Sequence, residues 1–150
     1  MRHKNSISQV NKERDAEVSR LVNRATELAG KPATIERVCQ IAVNLPVSKF
    51  YISDYWAVRY VKDRLQGKRR TFNNKHKSVL YNALFGVVNR MLQNPRYAHL
   101  SVERVVYMAL ETPAPTIGLS ESFIRHVIRY RLGIFQYDSK LSKKKGVPYG

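Results

Sequence analysis

Two stretches of the chain, 34–65 and 101–132, align without a gap when the sequence is shifted by 67 residues, and no other feature constrains the fold as much. They read TIERVCQIAVNLPVSKFYISDYWAVRYVKDRL and SVERVVYMALETPAPTIGLSESFIRHVIRYRL, with eight identities over 32 positions. Among these, Glu36 matches Glu103, Arg37 matches Arg104, Val38 matches Val105, Ala42 matches Ala109, Pro46 matches Pro113 and Ser53 matches Ser120. The matched types are those that two helices joined through a break require: a hydroxyl cap, an acid near the positive end of the helix dipole, core-facing aliphatics, a helix-stopping Pro and a second cap. Each copy is therefore expected to be a capped helix, an extended connector and a second capped helix, and the pair to form a pseudo-twofold domain. Any two such units share caps and aliphatics, so the equal connector length is what favours duplication.

The remaining segments also have a helical period, and the expected fold is all-α with about six helices. A first helix over 6–29 places Ile7, Val10, Val18, Leu21, Val22, Ala25, Leu28 and Ala29 on one face, and Gly30 and Pro32 end it. Thr34 caps the second helix, which is expected to run until Pro46, and residues 45–52 (LPVSKFYI) form the connector. Ser53 caps the third helix, whose inward stripe reads Ala57, Val58, Val61 and Leu65 before the stop at Gly67. A joining helix over 77–93 is the most apolar segment and is expected to cross the core, with Gly86 marking a close helix contact. Ser101 and Ser120 cap the fifth and sixth. A chain of 150 residues fits one domain, expected over 1–132, with 133–150 as a basic, flexible tail.

Charge suggests the partner. There are 27 Lys and Arg against 11 Asp and Glu, a net charge of +16, and such an excess is best tolerated when a polyanion neutralises it. Nucleic acid is the expected polyanion, DNA ahead of RNA. No apolar run approaches the roughly 18 residues of a membrane span, and no secretory or acylation signal is evident, so a cytoplasmic location without membrane contact is expected. Cys39 is the single cysteine and lies in the apolar run VCQIAV, which suits a buried thiol better than a nucleophile. His3, His76, His99 and His126 have no metal-ligand spacing, and no phosphate-cradling Gly loop, nucleophile elbow or carboxylate pair is present. The expectation is a protein that is not an enzyme and uses no cofactor or metal.

Four groups of residues are candidates for the contact. In the second helix of each copy, Tyr55, Arg59 and Lys62, and Ser122, Arg125, His126 and Arg129, form polar faces; the later set lies opposite Ile124, Val127 and Ile128. An Arg pair at i, i+4 can meet a guanine edge and a phosphate. Lys62, Arg64, Lys68, Arg69, Arg70, Lys75 and Lys77 form the densest basic run, which suits phosphate contact. In the connector, Lys49 stands beside Phe50 and Tyr51, offering a cation and rings that either stack on a base or pack onto the core; Trp56 and Tyr60 read as core or boundary residues. In the tail Lys140, Lys143, Lys144 and Lys145, and at the start Arg2, His3 and Lys4, read as arms adding nonspecific affinity.

Two helices joined through a break, with the string VSKFY, resemble the helix-turn-helix of tetracycline-repressor-type regulators over about 25 residues. The usual pattern there is V-S-K-G-T-x-Y. That resemblance implies a recognition helix lying in the major groove. The opening RHKNSI, with NLPVSKFY and TPAPTIGL, is also similar to small basic proteins of unknown function from gut bacteria and their phages, implying a phage or mobile-element context. The reading is a non-enzymatic DNA-binding regulator or architectural factor. The alternatives are a structural protein of a phage particle or nucleoprotein complex, or an RNA-binding protein, with a protein partner or homo-oligomer open in each case.

Overall fold

In the computed structural model, which describes residues 7–132, the first helix is α1 (Ile7–Ala29). It buries Val10, Val18, Leu21, Val22 and Ala25, whereas Ile7 and Leu28, at its two ends, are exposed. Thr34 caps α2 (Ile35–Ala42), its hydroxyl accepting from the Arg37 N–H at 3.1 Å. This helix ends four residues before Pro46 rather than at it. Asn44 and Leu45 donate to the carbonyls of Ile41 and Ala42, a tightened last turn, and a residue directly before proline is driven out of the helical region.

In α3 (Asp54–Leu65), Ser53 occupies the cap position but its side chain makes no cap bond. Ala57, Tyr60 and Val61 point inward, Val58 is half-buried, and Leu65 is exposed, contrary to the predicted stripe. Tyr60 takes the inward position because the following loop returns over it. Gly67, at φ 84°, turns the chain there.

The joining helix, α4 (Lys75–Leu92), starts two residues early because Asn74 caps it, accepting from the His76 N–H at 2.9 Å. It buries one face through His76, Leu80, Tyr81, Leu84 and Val88 and exposes Val79, so it lies along the core rather than crossing it. Gly86 marks no close helix contact: the nearest atom a side chain there would meet is Nη1 of Arg90, at 3.6 Å. After a 3-10 turn at Pro95–Tyr97 come α5 (Val102–Leu110) and α6 (Glu121–Val127), capped by Ser101 and Ser120 at 3.2 and 3.1 Å. A π-helical turn, Ile128–Leu132, follows α6. Among the described residues there are six α-helices and no strand.

The packing order crosses between the two aligned stretches. α2 packs on α6 and α3 on α5, while α1 lies against α2 and α6, and α4 against α5 and α3. The connectors meet in the middle. Val47 and Ala114 exchange two backbone hydrogen bonds, each 2.9 Å, and Phe50 N–H donates to the Leu110 carbonyl at 2.9 Å. On the opposite side the Thr116 hydroxyl donates to the carbonyl of Val43 at 2.6 Å. Phe50, Ile117, Leu110, Val43 and Ile124 are fully buried around this junction, so the connectors are core, not surface loops.

Candidate nucleic-acid interface

An aromatic brace folds the basic loop back onto the helices. Phe72 stacks on Tyr81 with ring centroids 4.7 Å apart, and Tyr60 meets both rings, at 5.0 Å from Tyr81 and 6.1 Å from Phe72. Burial pushes the Tyr81 phenol up to about 12, which keeps that ring uncharged. It brings the loop after Gly67 and the start of α4 beside the outer face of α3. Lys77 Nζ lies 5.2 Å from the Phe72 ring, and Arg70 reaches Asp63 at 3.4 Å while covering the Trp56 ring at 5.8 Å.

The cations on this face differ in how far they are committed. Arg64 donates from Nη1 to the Tyr60 hydroxyl at 2.7 Å and to Asn82 Oδ1 at 3.1 Å, with its guanidinium 4.3 Å from the Phe85 ring. Lys62 is ion-paired with Glu103 and holds that carboxyl below the usual carboxylate range. Arg59 donates to the Tyr55 hydroxyl at 3.0 Å and lies 5.9 Å from the Trp56 ring. Lys68, Arg69 and Lys75 are exposed and make no ion pair among the described residues.

Trp56, read from the sequence as a core or boundary residue, lies at the boundary. It is 38% exposed, meets Tyr55 edge-on at 5.0 Å, and is flanked by two guanidinium groups. The available signal was its spacing: it stands three residues before Arg59, a separation at which side chains meet on one helix face. Trp56 also lines a cleft of about 490 Å³ walled by α1, α3, α4, α6 and the two connectors. Ile52 and Leu119, Ser53 and Ser120, and Trp56 and Phe123 all line it, and each pair is 67 residues apart.

The other candidates lie elsewhere. Lys49 is three-quarters covered, its Nζ 3.1 Å from Glu13 and 3.8 Å from Glu111, and it lies over the Tyr51 ring. Hydrogen bonding from Gln9, then Lys49, holds Glu13 below the usual carboxylate range. Phe50 and Tyr51 are buried, so of the two roles open to the connector rings they take the core one. On α6, Arg125 is 3.4 Å from Glu36, and in the π-helical turn after it Arg129 is half-buried. Ser122 and His126 are exposed, the imidazole near the Phe123 and Tyr130 rings. Lys143, Lys144 and Lys145 lie outside the described residues.

Cys39 is fully buried, and burial pushes its thiol to about 11, which leaves no thiolate for nucleophilic chemistry. Among the described residues no three His, Cys, Asp or Glu side chains gather as a metal site would need, and no helix is long and apolar enough to cross a membrane. Compared with known proteins, the chain matches no family model, no curated protein and no solved structure.

Proposed function

We propose that this chain binds nucleic acid, DNA ahead of RNA, as a non-enzymatic regulator or architectural factor, through the face formed by α3, the basic loop and the start of α4. The observation that carries this reading is the imbalance there: residues 59–77 hold eight of the 27 cations and one of the 11 acids. Beside them, Tyr55 and Trp56 offer exposed rings. Cations that neutralise phosphates together with aromatic surface for bases are the two elements of nucleic-acid contact that need no sequence-specific geometry. On α6 the Arg125 charge is shared with Glu36, so that helix takes a secondary part. Fluorescence anisotropy with duplex DNA, single-stranded DNA and RNA of equal length, over a salt series, tests the proposal. Binding at low salt that weakens steeply with salt is expected. No binding to any of the three at low salt overturns it.

The duplication belongs to the same proposal, and we extend it to a three-helix unit. Support comes from the packing, in which exchanging α1 with α4, α2 with α5 and α3 with α6 maps each of the main helix contacts onto another. The first-turn acids behave alike too: Glu36 pairs with Arg125 of α6, and Glu103 with Lys62 of α3. In this reading α4 is not a mere joiner; it stands to α5 and α6 as α1 stands to α2 and α3.

A further inference from the structure

Between the end of α3, the basic loop and the first turns of α4 lies a hollow of about 310 Å³, separate from the cleft that Trp56 lines. Arg64, Arg69 and Arg70 line it, Ser78 and Asn82 add polar groups from α4, and the Tyr60 and Phe72 rings contribute apolar wall. Three guanidinium groups around one concavity are an arrangement of high electrostatic cost. Their mutual repulsion, partly screened by solvent and by Asp63 beside Arg70, is eased further by an anion, and planar guanidinium groups match phosphate oxygens two at a time.

The three arginines are also held ready to different degrees. Arg64 spends Nη1 on Tyr60 and Asn82, which leaves Nε and Nη2 without a partner among the described residues. Arg70 is steadied by Asp63 at 3.4 Å. Arg69 is exposed and has no such partner among the described residues. The arginines of the wall alone, with Asp63 offsetting the one it pairs with, carry a surplus of two, and the lysines of the surrounding face add to it. A phosphodiester carries one negative charge, whereas a phosphomonoester near neutral pH carries about 1.5 to 2. The charge therefore matches a phosphate at the end of a strand better than one within it, and the hollow has room for a phosphate with part of the attached sugar.

We propose that this hollow binds a phosphomonoester, supplied by the terminal phosphate of a nucleic-acid strand, in the grip of Arg64, Arg69 and Arg70. The proposal rests on the nucleic-acid reading above, but its test separates the two. Short oligonucleotides of one sequence, ending in a 5′-phosphate, a 3′-phosphate or hydroxyls only, are compared by anisotropy at fixed salt, with adenosine monophosphate and inorganic phosphate titrated separately by NMR. The expected result is at least about fivefold tighter binding of one phosphorylated form than of the hydroxyl form. That ratio should fall to near one in Arg69→Ala, whose exposed side chain leaves the fold undisturbed, and should fall in part in Arg64→Lys, which keeps the charge but loses the planar fork.

If the oligonucleotides bind equally and neither small phosphate shifts resonances of this hollow, the proposal is overturned while the nucleic-acid reading stands. If no oligonucleotide binds but adenosine monophosphate does, and Arg69→Ala abolishes that, the nucleic-acid reading fails and the phosphomonoester site stands with a free nucleotide as its source. Inorganic phosphate binding as tightly as adenosine monophosphate supports the phosphate grip and removes any part for the attached sugar.

Discussion

Val47 and Ala114, 67 residues apart, donate to each other's carbonyls at 2.9 Å in both directions. The reciprocity means that both connectors run extended and antiparallel at one point, each closing the other's backbone. Both residues are buried, so neither amide has water as an alternative partner. Hydrogen exchange should therefore find both amides opening only with the whole fold. Fast exchange at one of them, with the other protected, would show that the connectors are not a joint centre.

Two glycines should respond to alanine with opposite signs. Gly118 sits at φ 82°, and a Cβ there would come within 2.5 Å of Leu80 Cδ2, so strain and overlap add. Gly118→Ala should cost roughly 2–4 kcal/mol in urea unfolding. Gly86 lies inside α4 with only the Arg90 side chain near, and Gly86→Ala should gain about 0.5–1 kcal/mol. A loss at Gly86 would reinstate the close helix contact that its sequence position had suggested.

His76 gives the fold an acid limit. Burial, then the neighbouring Lys75, depresses its pKa below the ordinary 6.5, and Glu121 opposes them. The unfolded chain thus binds the proton more readily than the folded one. Its stabilising contribution is complete above about 6.5 and is lost as pH falls through the folded value. Midpoints in urea at pH 7.5 and 5.5 should differ less in His76→Gln than in the parent. An unchanged pH dependence in that variant would assign the acid sensitivity to other groups.

The binding face and α6 should separate under mutation. Trp56→Ala should weaken single-strand binding by about 1–3 kcal/mol, the usual worth of one base stacked on a ring. Arg125→Gln should change affinity less, since that guanidinium already meets Glu36. Equal losses from the two substitutions, measured on the same oligonucleotide, would restore α6 as a principal reader.

The caps at Thr34, Ser101 and Ser120 were legible in the sequence because a cap needs only its own next turn. Ser53 shows the limit: it stands at the right position, yet its hydroxyl is buried beside the cleft and caps nothing. The matching places of α1 and α4 in the packing were not read either: the helices share only the short run Val22-Asn23-Arg24 and Val88-Asn89-Arg90, 66 residues apart. Its place beside Phe50 and Tyr51 in the connector grouped Lys49 with the contact residues. Its ion pairs with Glu13 and Glu111, distant in sequence on either side, were not legible, because only the fold brings these residues together. The basic loop was evident as composition, but the Phe72, Tyr60 and Tyr81 brace that gives it a fixed face was not.

The central claim concerns phosphate contact by Lys68, Arg69 and Lys75, and the salt dependence of duplex binding tests it most directly. The slope of log affinity against log salt should be steep for the parent chain and shallower by roughly 2–3 in Lys68→Gln/Arg69→Gln/Lys75→Gln, about 0.9 for each lost contact. A triple variant that keeps the parent's slope and affinity would contradict the account.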